Sequence, residues 1–154
     1  MKKYVIIIVI FAVTVSGFIL FNNYGQKKEQ VKTNYSVMDI KLPKADKIEI
    51  FLFHTTQRCA SCINIGKFAK QTIDNNFNEE LSSGRIFFRE INIDLPENYQ
   101  LAEKFQASGS SLFINTIRDG KDYIEQDLKV WRLVGNEGEF ESYFKEKIAN
   151  ILKS

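Results

Sequence analysis

The octapeptide KIEIFLFH, residues 47–54, limits what this chain can become more than any other stretch. In an extended segment successive side chains point to opposite sides. Ile48, Ile50 and Leu52 therefore line one face, and Phe51 and Phe53 the other. A strand that is apolar on both faces needs cover on both. That suits the centre of a sheet held between helices, not a half-solvated antiparallel sheet. The 154 residues are enough for one domain and hardly for two, and with 44% apolar residues and thirteen Phe a sizeable core is available.

The rest of the pattern supplies the cover. Cys62, Ile65, Ala69, Ile73, Phe77 and Leu81 recur every three or four residues and predict one helix through Leu81, stopped at Ser82–Gly84. RIFFREINID reads as a second strand, and LPENYQLAEKFQ as a short helix opened by Pro96, with Asp94 and Glu97 at its start. SLFINTI and KDYIEQ flank Arg118-Asp119-Gly120, a hairpin signal. A short helical piece around Trp131, read as a core or lid residue, ends at Gly135, and Phe140, Phe144, Ile148, Ile151 and Leu152 mark a terminal helix. The order is strand-helix-strand-helix-strand-strand-helix. It predicts an α/β fold with a central mixed sheet, parallel at its start and antiparallel at its closing edge, and helices on both faces.

The N-terminus carries a separate message. Residues 4–21, YVIIIVIFAVTVSGFILF, form an uncharged apolar run of about eighteen residues, at the lower end for a membrane-spanning helix. Ser16 and Gly17 offer small side chains for a signal-peptidase site, but cleavage there would leave FILF at the start of the mature chain. The run reads as an uncleaved anchor in preference to a cleaved signal. Lys2 and Lys3 precede it and keep the N-terminus cytoplasmic, although Lys27 and Lys28 make the charge asymmetry slight. Residues 22–45 are polar, contain Gly25 and Pro43, and read as a linker, so the domain at 46–154 is expected to face the periplasm or another extracytoplasmic space. A formal net charge of +2, with lysines and acids interspersed, argues for an ordinary solvated exterior and against a nucleic-acid surface.

Both cysteines lie in RCASC, between the central strand and the long helix. As a structural staple, a Cys59–Cys62 bridge closes so small a loop that it removes little unfolded-state entropy, less than the ~3 kcal/mol of a fifteen-residue loop. As a zinc site, two thiols and the single His54 fall short of a tetrahedron, so no metal site is expected. Two unrelated buried cysteines leave their spacing unexplained. A thiol–disulfide couple fits best. Cys59 would meet the unpaired amides and positive dipole end of the helix, which favour the thiolate, with the neighbouring Arg58 adding positive potential. Cys62, one turn on, would resolve a mixed disulfide formed at Cys59.

These residues resemble a known group. Cys59-Ala60-Ser61-Cys62 after IEIFLFH, followed by a long helix and FFREINID, is similar to the thioredoxin-like superfamily over residues 47–152. Within it, FH before RCASC, then GR, NIDLPEN, DGK and KVWRLVG resemble small bacterial proteins described as an ArsF-type nitrophenyl compound nitroreductase subunit family. That resemblance implies association with nitroaromatic reduction or arsenic resistance. It also implies that Ser110 and Ser111 line a substrate groove opposite Cys59. Two departures stand out. Ser111 occupies the place where thioredoxins carry a cis-proline, so this loop is expected to be trans. Phe53 stands where they bury an acid, which leaves His54 as the nearest substitute for proton transfer.

The expectation is thus a membrane-tethered thiol–disulfide oxidoreductase using the redox-active pair Cys59–Cys62 without another cofactor. Its partners would be a protein thiol or disulfide and a membrane electron donor, since no glycine-rich phosphate loop for a nicotinamide or flavin is present. The competing reading is a vicinal-dithiol binder, or an accessory subunit without turnover, that captures thiophilic species such as trivalent arsenic or copper(I).

Overall fold

The computed structural model describes residues 44–154; the predicted membrane segment at 4–21 and the linker up to residue 43 lie outside the described residues. Among the described residues no helix is long and apolar enough to cross a membrane.

Strand β1 (Lys47–His54) runs down the middle of a four-stranded sheet of order β2-β1-β3-β4. It pairs in parallel with β2 (Ile86–Asn92), His54 standing beside Asn92, and antiparallel with β3 (Ser111–Arg118), Phe53 standing beside Ser111. β4 (Lys121–Gln126) closes the sheet as an antiparallel edge, exposed along its whole length. Asp119 and Gly120 both take positive φ, 49° and 72°, the backbone that a two-residue hairpin with matching strand twist requires. The connection from β1 to β2 runs through α1 (Ala60–Asn76) and α2 (Asn78–Ser82); β2 leads to a 3₁₀ turn at Pro96–Asn98 and α3 (Tyr99–Phe105). After β4 come α4 (Val130–Leu133) and α5 (Glu137–Lys153). This mixed sheet with helices on both faces is the α/β arrangement that the sequence predicts.

The two faces of β1 become two cores. Ile48, Ile50 and Leu52, with Leu112 and Ile114 of β3, pack against Ile65, Phe68, Ala69 and Ile73 of α1 and Phe140, Phe144 and Ile148 of α5. Phe51, Phe53 and Phe113 pack with Ile91, Ala102 and Phe105 on the other side. There Phe105 meets the rings of Phe51, Phe53 and Phe113 at centroid distances of 5.0, 5.4 and 5.6 Å.

One element differs from its prediction. The single helix expected through Leu81 ends at Asn76, and a separate short helix starts at Asn78. Phe77 leaves helical geometry (φ −134°, ψ 39°) while its N–H still reaches the Ile73 carbonyl at 3.0 Å, and its ring is buried in the larger core. Burial of one large ring thus outweighs the continuity of one helical turn, since a buried Phe is worth about 1.5–3 kcal/mol.

A buried carboxylate ties the last helix to the sheet. The Asp127 amide donates to the Leu112 carbonyl at 2.8 Å, and its carboxylate accepts from the Tyr143 hydroxyl at 2.9 Å and from the Lys129 amide at 3.0 Å. Lys147 adds its ammonium at 3.3 Å. Burial, together with the Asp127 bond and charge, pushes the Tyr143 phenol up to about 12.

Phe140 is fully buried, with its ring 5.6 Å from that of Phe68. Phe140→Ala is expected to cost about 3–5 kcal/mol, seen as a lower denaturant midpoint with an unchanged slope.

Candidate functional site at the start of the first helix

The parallel pairing of β1 with β2 and the antiparallel entry of β3 bring three segments to one end of the sheet: residues 55–62, residues 92–94 and the loop before Ser111. Cys59 is the N-cap of α1, with extended backbone (φ −79°, ψ 161°). Its sulfur takes the part a Ser or Asp oxygen usually plays, accepting the Cys62 N–H at 3.4 Å, while its carbonyl accepts the first helical bond from Ile63 at 3.1 Å. Cys59 is exposed and Cys62, one turn on, is 5% exposed; both are free thiols. The two sulfurs face each other 2.6 Å apart.

Burial raises the Cys62 thiol pKa, but hydrogen bonds from Cys59, from the Ser110 hydroxyl and from backbone amides outweigh it and hold the thiol below its ordinary value. Cys62 is therefore the inner sulfur of the pair and the one most richly supplied with donors. Among the described residues no carboxylate contributes to this set.

The loop that delivers Cys59 is pinned from the β2 end. Asp94 accepts the Thr56 amide at 2.7 Å, Asn92 donates to the Thr56 hydroxyl at 3.1 Å, and the Asn92 side-chain oxygen in turn accepts the Asp94 amide at 3.0 Å. This corrects the reading of Asp94 as a helix start: the 3₁₀ turn is preceded by Leu95, without a side-chain cap, and only Glu97 lies in its first turn. The amide and hydroxyl of Thr56, and then the charge of His54, hold the Asp94 carboxyl below the usual range.

The sequence candidates divide into those that meet the sulfurs and those that do not. Ser110 does, through its hydroxyl. Ser111 is buried in β3, and its hydroxyl donates instead to the Gly109 carbonyl at 3.1 Å, bracing the loop that presents Ser110. The peptide bonds of this loop are trans. With Gln106, Ser108, Gly109, Phe113 and Gln126 the two serines line a polar cleft of about 160 Å³. A larger cleft, about 530 Å³, lies along α5 beside Lys129 and Tyr143 and contains neither cysteine. His54 commits Nδ1 to the Thr55 carbonyl at 2.9 Å, so its ring serves the loop and not the sulfurs. Phe53 is fully buried among the rings of Phe51, Phe105 and Phe113, on the face away from α1.

Arg58 turns back from Cys59. Its Nη1 donates to Glu90 at 2.6 Å and its Nη2 to the Cys62 carbonyl at 3.2 Å. Gly66 makes room for this pair: a Cβ there would stand 2.6 Å from Leu52 Cδ2, 2.7 Å from Glu90 Oε1 and 3.3 Å from Arg58 Nη2. Sequence reasoning missed Glu90. The available signals were a carboxylate in register with the inward Leu52, and a glycine inside a helix, where it costs about 0.5–1 kcal/mol relative to alanine.

Among the described residues no three His, Cys, Asp or Glu side chains converge as metal donors. The chemistry open to this site is that of two sulfurs: nucleophilic attack by the exposed one, closure by the inner one, or joint capture of a thiophilic atom.

Two outcomes follow from these contacts. Ser110→Ala should move the Cys62 thiol upward, because one lowering donor is removed while burial remains; a thiolate-absorbance titration of wild type and variant measures it. Asp94 has a depressed folded-state pKa, so its hold on Thr56 is present above the unfolded carboxylate pKa and is lost as pH falls through the lower folded value. Hydrogen exchange at the Thr56 amide should therefore lose protection in acid, and in Asp94→Ala should lack it at neutral pH too.

No protein-family model matches the chain, and no curated protein matches it. Among solved structures it is similar to the Trx4 domain of ERdj5, at 10% identity over 67% of this chain and 81% of that one, with a TM-score of 0.45. A thioredoxin from Thermus thermophilus is similar at 15% identity over 66% and 74% of the two chains, with a TM-score of 0.44. Fasciola hepatica thioredoxin is similar at 17% identity over 66% and 82%, with a TM-score of 0.41. The mixed four-stranded sheet puts this chain's Cys-x-x-Cys pair at the start of the first helix.

Proposed function

We propose that this chain is a thiol–disulfide oxidoreductase tethered to a membrane through residues 4–21, with its domain on the extracytoplasmic side. The observation that carries the proposal is an exposed sulfur, Cys59, at the N-terminus of a seventeen-residue helix, with the buried Cys62 sulfur 2.6 Å away. The amide of Cys62 points at the Cys59 sulfur, the arrangement that supports a sulfur anion.

In the exchange the Cys59 thiolate attacks one sulfur of a partner disulfide. That bond breaks, a Cys59–partner disulfide forms, and the other partner sulfur leaves as a thiolate. Cys62 then loses its proton to solvent and attacks the Cys59 sulfur. The intramolecular disulfide closes and the second partner thiolate departs. Two electrons have moved from the Cys59–Cys62 dithiol to the partner disulfide, and a membrane dithiol donor returns them by the same steps. Ser110 sits where it stabilises the Cys62 anion as it forms, and the polar cleft beside it receives the partner chain. His54 acts on this site through the loop, not by touching sulfur. The sequence resemblance to the ArsF-type nitroreductase subunit family supports an association of such a protein with nitroaromatic reduction or arsenic resistance.

The facing sulfurs also favour a second reading, a dithiol trap for trivalent arsenic or copper(I). One experiment separates the two. In Cys62→Ser the exchange stops after the first step, so intact cells should accumulate a mixed disulfide on Cys59 that Cys59→Ser abolishes. Absence of any adduct, together with tight one-to-one uptake of arsenite by the reduced wild-type chain, would replace the oxidoreductase by the trap.

A further inference from the structure

The exchange described above leaves one cluster beside the cysteines unused: Arg58, Glu90, Gly66 and the Cys62 carbonyl. Arg58 directly precedes the N-cap, yet its guanidinium folds back over the helix, bonding Glu90 of β2 with one nitrogen and the Cys62 carbonyl with another, at 2.6 and 3.2 Å. Its Nε is buried without an acceptor, a cost accepted in placing both terminal nitrogens. The side chains are 21% and 36% exposed, so the pair itself adds little to folding. Gly66 stands at a helix-interior position where glycine is disfavoured, and the atoms its missing Cβ would strike include those of Glu90 and Arg58. The sequence thus gives up helix propensity at the point that lets this bridge lie under the first turns of α1.

We propose that Arg58 and Glu90 are positioning residues for the resolving step: the guanidinium, fixed to β2 by Glu90, grips the Cys62 carbonyl and keeps the Cys62 sulfur aimed at Cys59 while Cys59 carries a partner. The inference rests on the exchange reading given above. In the free protein the first turn is held by two contacts to residue 62, the Cys59 sulfur on its amide and Arg58 on its carbonyl. Once Cys59 enters a mixed disulfide its sulfur is bonded to the partner and is a poorer acceptor, and the first-turn amides have no helical partners of their own. The Arg58 grip on the Cys62 carbonyl then remains, beside the Ser110 hydroxyl on the Cys62 sulfur and the Ile63–Cys59 helical bond. Closure requires the two sulfurs to approach along the bond being broken, a geometry in which small displacements are costly in rate.

The test follows the two thiolates that the reduced full-length protein releases from dithiobis(nitrobenzoate), a coloured aromatic disulfide. The first leaves when Cys59 attacks and the second when Cys62 closes the ring. Arg58→Lys keeps the charge but cannot bridge, and Glu90→Gln keeps the shape but not the ion pair. Each is expected to slow the second release relative to the first by about tenfold or more. The double variant should be no slower than the slower single, as for two residues acting as one unit. Glu90→Gln, an isosteric change at a partly exposed strand position, keeps the test readable should Arg58→Lys fail to fold. An unchanged ratio of the two rates, or equal slowing of both releases, overturns the positioning role. A wild-type chain that releases both thiolates, with variants that match it, removes the positioning role alone. A wild-type chain that never releases the second thiolate removes the exchange reading with it.

Discussion

The structure depends on β1 being covered on both faces. Because Ile48, Ile50 and Leu52 need one set of helices and Phe51 and Phe53 another, β1 has to lie inside the sheet, and the chain has to leave it at the sheet's end and cross over a face to reach β2. That exit is where residues 55–62 lie. A helix starting there exposes its first amides at the end of the sheet that the loop at 92–94 and the loop before Ser111 share. The demand of two hydrophobic cores thus places Cys59 where its sulfur is accessible while the next turn of α1 is already buried.

The same placement divides the labour between the cysteines. Cys62, one turn deeper, would be a weakly acidic thiol if burial alone acted on it. Donors from Cys59, Ser110 and the backbone reverse that direction. Each pKa unit corresponds to about 1.4 kcal/mol of preference between the two protonation states, so a few hydrogen bonds of ordinary strength are enough to decide the sign. With Phe53 packed on the face away from α1, and His54 bonded to the loop, the site manages the charge on its inner sulfur with donors instead of a neighbouring base.

Much of this was legible in the sequence because it is written in short-range patterns. Alternation in KIEIFLFH, the three-to-four spacing from Cys62 to Ile73, Gly84 after the helical segment and Asp119-Gly120 between two strands each have one economical solution, and the chain adopts it. Contacts between segments distant in sequence were not legible. The break at Phe77 is decided by where a ring finds space in a core built from α1 and α5. Asp94 was assigned to its own turn because capping is a local rule, yet its carboxylate bonds Thr56, thirty-eight residues earlier. Arg58 was expected beside Cys59 because it is next to it in sequence, whereas its guanidinium bonds Glu90, thirty-two residues away, and the Cys62 carbonyl. The bond from Ser110 to the Cys62 sulfur was not legible either, since nothing local marks it.

On the proposed exchange reading, the donor set around Cys62 also bears on the direction of electron flow. A hydrogen bond to a sulfur anion acts on the dithiol state and has no counterpart of equal strength in the disulfide, whose sulfurs are neutral. Donors to the thiolate therefore stabilise the reduced form, and a stabilised reduced form makes a couple more oxidising. For a two-electron couple about 30 mV accompanies each 1.4 kcal/mol, and the Ser110 hydroxyl acts in the oxidising direction. Burial of Cys62 works in the opposite sense, because it penalises the same anion. The position of this couple on the redox scale is thus set by a competition at one buried sulfur, between the hydrophobic packing that puts it under the first turn of α1 and the polar loop before β3 that reaches over to meet it.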